Sequence, residues 1–179
     1  MKTRCQELQE IGNRLFSARF PILTLWQTFA ENFYPIRADF TRSRYISEEF
    51  ASYLMTGRPV LAHRELTNSI SSILRPRGLQ WFKPGVEDEG LNADPSNQQF
   101  FDFVAGRMRS VMNNRLSQFR RATKEADGDF VLFGQAVIEP RPNAMRDGEL
   151  YRTWHLRDCV WTENANFEID SFHRKWKLE

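Results

Sequence analysis

With 179 residues, 41% of them hydrophobic, the chain can bury one core of its own and leaves no obvious room for a second. Its 25 basic and 23 acidic side chains nearly cancel, and a net charge of +2 argues against a protein whose whole surface grips nucleic acid. Fifteen Phe and five Trp make large rings the main source of burial energy.

Periodicity divides the chain into a mainly helical part, residues 1–126, and a mainly β part, residues 127–179, together one α+β domain. Leu8, Ile11 and Leu15 recur at helical spacing. Pro21 interrupts a pattern that resumes with Ile22, Leu25, Trp26, Phe29 and Phe33. Proline sits best in a first helical turn, so two helices meeting near Phe20 are expected. The second should end near Tyr34, because Pro35 biases its predecessor away from helical angles. Residues 37–56 read as an irregular polar connection with a short helix over 47–55, capped by Ser47 and carrying Phe50 and Leu54 on one face. Pro59 marks the next helix start. Leu66, Ile70, Ile73 and Leu74 form its apolar stripe, and Ser69, Ser71 and Ser72 permit close packing. Glycines, prolines and acids mark residues 75–97 as a loop with Trp81-Phe82 as its buried anchor.

One long amphipathic helix is predicted over 96–124 with Ser96 as N-cap. Phe100, Val104, Met108, Val111, Met112, Leu116 and Phe119 define its apolar face, and Arg107, Asn114, Gln118 and Arg121 fall opposite. After Asp127-Gly128-Asp129 a continuous apolar run over 130–138 suits a buried strand. Pro140, Pro142 and Asp147-Gly148 bracket a long hairpin connection to a strand over 149–156. Strands over 158–163 and 168–176, joined across Asn164-Ala165-Asn166, complete an antiparallel β-meander with Trp161 and Phe172 in one sheet core.

The chemistry-bearing residues do not assemble into a catalytic or cofactor motif. His63, His155 and His173 lie in no nucleophile or metal pattern, and there is no phosphate-cradling glycine loop. His155, Cys159 and His173 lack a fourth ligand and a known metal spacing. Cys5 and Cys159 are far apart and read as reduced thiols of an intracellular protein. The basic residues at positions 1–4 are not followed by the apolar run of a secretion signal. No stretch reaches the roughly 18 apolar residues that a membrane-spanning helix needs. The acidic group Glu87-Asp88-Glu89 reads as a solvated loop. Arg107, Arg109, Arg115, Arg120, Arg121 and Lys124 concentrate positive charge on the long helix and are candidates for contact with DNA phosphates or with an acidic face of a neighbouring subunit. Cations toward a helix C-terminus also favour the dipole, which by itself accounts for Arg120, Arg121 and Lys124.

A series of elements resembles the head-to-tail connector (portal) family of short-tailed bacteriophages. They run in order: Arg19, Trp26, Tyr34 and Pro35 in the N-terminal helical region; Pro76 to Trp81 and Phe82; the acidic loop; and Ser117-Gln118-Phe119. Phe133-Gly134-Gln135-Ala136, with Gly134 in a strand, and Val160-Trp161-Thr162-Glu163-Asn164 complete the series. Family members are several times longer, so the resemblance is to their N-terminal, wing-forming part, and the stem, clip and crown have no counterpart here. It implies a structural subunit without enzymatic activity or cofactor, in a homo-oligomeric ring that is dodecameric in the family. Double-stranded DNA is packaged and ejected through such a ring. Implied partners are further copies of the chain, the terminase motor, and the capsid and tail adaptor proteins. The implied location is the portal vertex of the virion, and the host cytoplasm during assembly. Two other readings are a stand-alone nucleic-acid-binding domain and a truncated, non-assembling prophage relic.

Overall fold

A computed structural model describes residues 3–45, 47–49, 51–76 and 78–176. Among them six α-helices are followed by two antiparallel hairpins, the α+β arrangement expected. The chain divides into two units: Met1–Glu65, Gly128–Val137 and Trp154–Glu179 in one, Leu66–Asp127 and Ile138–Thr153 in the other.

The first unit begins with α1 (Arg4–Ala18), where the Gln6 side chain reaches back to accept from the Thr3 N–H at 3.0 Å. Helix α2 (Phe20–Phe33) follows after Arg19 alone, with Pro21 in its first turn, so the expected junction near Phe20 is present. A 3-10 turn, Pro35–Arg37, then ends the helical run. The buried stripe of α2 is Leu23, Trp26, Gln27 and Ala30. The expected stripe was displaced by one position because α2 is apolar nearly all round. Of the residues expected inward only Trp26 is buried, while Ile22, Leu25, Phe29 and Phe33 are exposed.

The core of this unit is a cluster of rings. Trp26, Phe40 and Phe133 lie mutually 4.9 to 5.6 Å apart between centroids, with Leu23, Ala30, Ala38 and Leu156 around them. Gln27, buried beside the cluster, leaves no polar atom idle. Its amide donates to the Ala38 carbonyl at 2.9 Å, and its oxygen accepts from the N–H groups of Phe40 and Thr41. The Arg19 guanidinium lies 4.8 Å from the ring centroids of both Trp26 and Trp161 and donates to the Cys159 carbonyl and to Gln135. Burial holds its pKa below the usual arginine value. Hairpin β3 (Cys159–Glu163) and β4 (Ile169–Arg174) packs against α1, where a Cβ on Gly12 would lie 3.1 Å from His173 Nδ1. Trp161 pairs with Phe172 across the hairpin and stacks on it at 6.5 Å, as the shared-sheet expectation has it, although Phe172 keeps its outer face exposed.

Two expectations about helix α3 (Arg58–Leu74) diverge. Its start beside Pro59 is as read, but Leu66, Ile73 and Leu74 are exposed and the buried positions are His63 and Thr67. Hydrogen bonding rather than apolarity selects this face. In the first unit His63 Nε2 lies 3.0 Å from the Gly128 carbonyl, and in the second Ser71 donates to Asp127 at 2.6 Å. The short helix expected over 47–55 is absent among the described residues, which form turns there. Ser47 has a φ of 75°, and Phe50 lies outside the described residues.

In the second unit the single long helix over 96–124 is replaced by two. Helix α5 (Pro95–Met112) is capped by Asp94 rather than Ser96 and is preceded by the short α4 (Glu89–Ala93), which is capped by Asp88. Asn113, a 3-10 turn at Arg115–Ser117 and Gln118 at a φ of 56° separate α5 from α6 (Phe119–Phe133). Ser117 is buried at the centre of this break, donating to the carbonyls of Met112 and Asn114 and accepting from the Phe119 N–H. Among the described residues the unit's buried positions are small, Thr67, Ala105, Ser117, Ala122, Thr123 and Ala126, apart from the ion-paired Asp127.

The run 130–138, expected as one strand, is instead the last turn of α6 up to Phe133, an irregular stretch over 134–137 and, at Ile138, the start of β1. Asp127-Gly128-Asp129 continues the helix because both acids have partners. Arg37 clamps Asp129 with two bonds of 2.9 and 2.6 Å in the first unit, and Arg75 pairs with Asp127 in the second. Gly128 admits the Tyr34 ring, which a Cβ would approach to 3.2 Å. The expected meander is two separate hairpins, β1 (Ile138–Pro142) with β2 (Glu149–Thr153), and β3 with β4. Pro140 and Pro142 lie within β1, which a two-stranded edge tolerates.

Candidate functional site

The break between α5 and α6 opens a cleft in the second unit of about 1050 Å3. Its walls are the end of α3, the loop after it, the end of α5 and the first two turns of α6. Among the described residues four cations line it: Arg75, Arg109, Arg120 and Lys124. Asn68, Ser71, Ser72, Asn113 and Thr123 supply neutral polar groups, and among the described residues no carboxylate contributes to the lining.

The four cations are not equivalent. Arg75 is neutralised by Asp127, which lies buried behind it and also accepts from Ser71. Arg120 gives its Nε–H to Asn113 Oδ1 at 3.0 Å, which leaves the rest of its guanidinium free to donate. Arg109 and Lys124 have no side-chain hydrogen bond or ion pair among the described residues. The cleft therefore holds positive charge that the described residues leave unbalanced.

Three of the six cations singled out from the sequence thus come together: Arg109, Arg120 and Lys124. Arg121 instead pairs with Glu125 one turn along α6 at 2.9 Å, and Arg107 and Arg115 are exposed away from the cleft. The dipole explanation of Arg120, Arg121 and Lys124 is overturned. Arg120 and Arg121 sit in the first turn of α6, the positive end of a helix, where a cation is unfavourable by about 0.3–1 kcal/mol, and Lys124 follows in the second turn, far from the C-terminus. Arg75 went unnoticed in the sequence, although its place directly after an apolar helix and four residues from Ser71 was a usable signal.

Aromatic residues form one side of the same cleft. Trp81 and Phe119 line it and lie parallel, 9° between planes and 6.5 Å between centroids, with Phe82 edge-on to Trp81 at 4.7 Å. Trp81 is 37% exposed, so it is a partly open platform rather than the buried anchor expected. Phe119 also meets Tyr151 of β2 edge-on at 5.0 Å, and burial together with Glu149 pushes the Tyr151 phenol up to about 12. Pro76 also lines the cleft.

The remaining motif residues are architectural and lie in the first unit. Trp26 is in the ring cluster, and Pro35 is buried at the start of its 3-10 turn. Gly134, expected in a strand, ends α6 with a φ of 71° while its N–H bonds to the Phe130 carbonyl. Trp161 packs on the core, and Glu163 sits at a β-bulge. Asn164 organises the β3–β4 turn, its side chain accepting from the N–H groups of Asn166 and Glu168.

His155 uses one ring nitrogen toward the Arg37 carbonyl and the other toward the Arg157 N–H. Cys159 is fully buried and its thiol is pushed up to about 11 by burial, while Cys5 is a free exposed thiol. Among the described residues no helix is long and apolar enough to cross a membrane.

Comparison with curated proteins finds no match. The family model of the bacteriophage head to tail connecting protein matches residues 5–179, nearly the whole chain. The chain is therefore a phage structural protein of the virion, a component that joins head and tail, and a member of the bacteriophage head to tail connecting protein family.

Proposed function

We propose that the chain is a subunit of a ring at one vertex of the capsid, through which double-stranded DNA enters during packaging and leaves on ejection. The ring is a dodecamer in this reading. Its partners are the terminase motor, the capsid and the tail adaptor proteins, and it assembles in the host cytoplasm. The chain's own role is mechanical, with no bond made or broken by it.

The observation that carries the reading, beside family membership, is uncovered apolar surface. One exposed side of α2 presents Ile22, Leu25 and Phe29, and α5 presents Phe100 and Phe103, the last 65% exposed. Isolated soluble proteins keep large contiguous apolar patches scarce, whereas subunits of obligate assemblies carry them where neighbours pack. A closed ring supplies such neighbours through heterologous contacts that repeat until the rotation closes.

Light scattering on the purified chain over a range of protein and salt concentrations tests this. A discrete ring-sized mass is the expected result, and a monomer at every concentration would overturn self-assembly by this chain. A second reading, a stand-alone nucleic-acid-binding domain, is favoured only by the cationic cleft. It requires duplex DNA affinity that falls steeply with salt.

A further inference from the structure

The cleft's unbalanced charge has a chemical complement on the same chain. The segment 86–91 carries Glu87, Asp88 and Glu89 between two exposed apolar side chains, Val86 and Leu91. Asp88 is occupied with the N–H groups of Gly90 and Leu91 at the start of α4. Glu87 and Glu89 are exposed and form no ion pair among the described residues.

The segment is also held in shape. Asn92 closes it from behind, its side-chain oxygen accepting from the Val86 N–H at 3.0 Å and its amide donating to the Val86 carbonyl at 2.6 Å. A rigid loop loses little freedom on docking, which favours binding by a short element. None of its residues lines the chain's own cleft. The cleft therefore has room for the segment of another copy.

We propose that the cleft of one subunit receives the acidic segment 86–91 of the next. Glu87 and Glu89 meet Arg109, Lys124 and the free end of Arg120, while Val86 and Leu91 settle on the Trp81 side. The contact is head-to-tail, since donor and acceptor are different surfaces, and it is the kind of contact that closes a ring. Complementary charge fixes register and suppresses wrong pairings. The proposal rests on the assembly reading above. A DNA duplex is the less suitable occupant, because every phosphate the cations held would add a salt-sensitive barrier to movement.

A fluorescent peptide spanning residues 84–93 provides the probe. The acceptor is the full chain carrying Glu87→Gln and Glu89→Gln, whose uncharged segments compete for neither the native nor the charge-reversed cleft. Saturable binding at low salt is expected. Adding Arg109→Glu and Lys124→Glu to the acceptor should weaken it at least tenfold, and a peptide with lysine at both glutamate positions should recover that loss. Arg109→Gln with Lys124→Gln offers a milder pair should the reversals disturb folding, as read by circular dichroism.

Absent binding, or binding indifferent to the cleft substitutions, overturns the proposal. So does duplex DNA binding that the cleft substitutions abolish while the peptide fails to bind. A ring-sized species without peptide binding sinks the pairing and leaves assembly standing. Peptide binding by a monomeric chain supports the pairing and sinks self-assembly.

Discussion

Lowering the pH from 7 to 4.5 should destabilise the first unit through a single imidazole, His155. Its Nδ1 accepts from the Arg157 N–H at 3.1 Å, so its proton resides on Nε2, which donates to the Arg37 carbonyl. A second proton would have to enter where Arg157 already points a donor. Burial, reinforced by the Arg37 charge, depresses its pKa from 6.5 to about 4. Between those two values the unfolded chain binds a proton that the folded chain refuses, so stability rises with pH across the window and is lost as pH falls through it. Linkage gives a loss of about 1 kcal/mol by pH 5.5 and about 2.5 kcal/mol by pH 4.5, relative to pH 7. Urea unfolding at these pH values measures it, with His155→Gln as the reference because carboxylates also titrate near the lower end. The wild-type chain should lose more stability than the variant by those amounts. Parallel curves for the two proteins would refute the account of a buried neutral His155.

Trp26→Ala removes a ring that touches Phe40, Phe133 and Arg19, and should cost about 3–5 kcal/mol by urea unfolding. Gly134→Ala isolates backbone conformation, since nothing lies within 4 Å of the added Cβ and only the φ of 71° is strained. A loss of about 1–2 kcal/mol is expected, with Gly134→Asn less affected because Asn tolerates the left-handed region.

How legible the molecule was depends on whether one local signal acted alone. The α1–α2 junction at Pro21 and the start of α3 at Pro59 were readable because proline acts through its own ring. The buried side of α2 was not, because both of its sides are apolar and only contact decides between them. The division of the predicted long helix was written in Asn113, Asn114 and Ser117, turn-forming residues overshadowed by an unbroken apolar period. The continuation of α6 through Asp127-Gly128-Asp129 could not be read locally. It depends on Arg37 and Arg75, each more than fifty positions away. At the cleft the residue types were visible and the grouping was not. Six cations on one imagined helix became three in the cleft, joined by an Arg75 that only the fold brings there.

The two units fill their interiors with side chains of opposite size, and this sets opposite tolerances to sequence drift. Where Trp26, Phe40 and Phe133 meet, the dangerous substitution is one that shrinks a ring and leaves a void. Around Ala105, Ala122 and Ala126 shrinkage is hardly available, and an added methylene group is the hazard because these side chains are already buried. A lineage of such chains can therefore exchange one large residue for another in the first unit with modest damage. In the second it must hold alanine, serine and threonine nearly fixed, and the most constrained positions there are among the least conspicuous in the sequence.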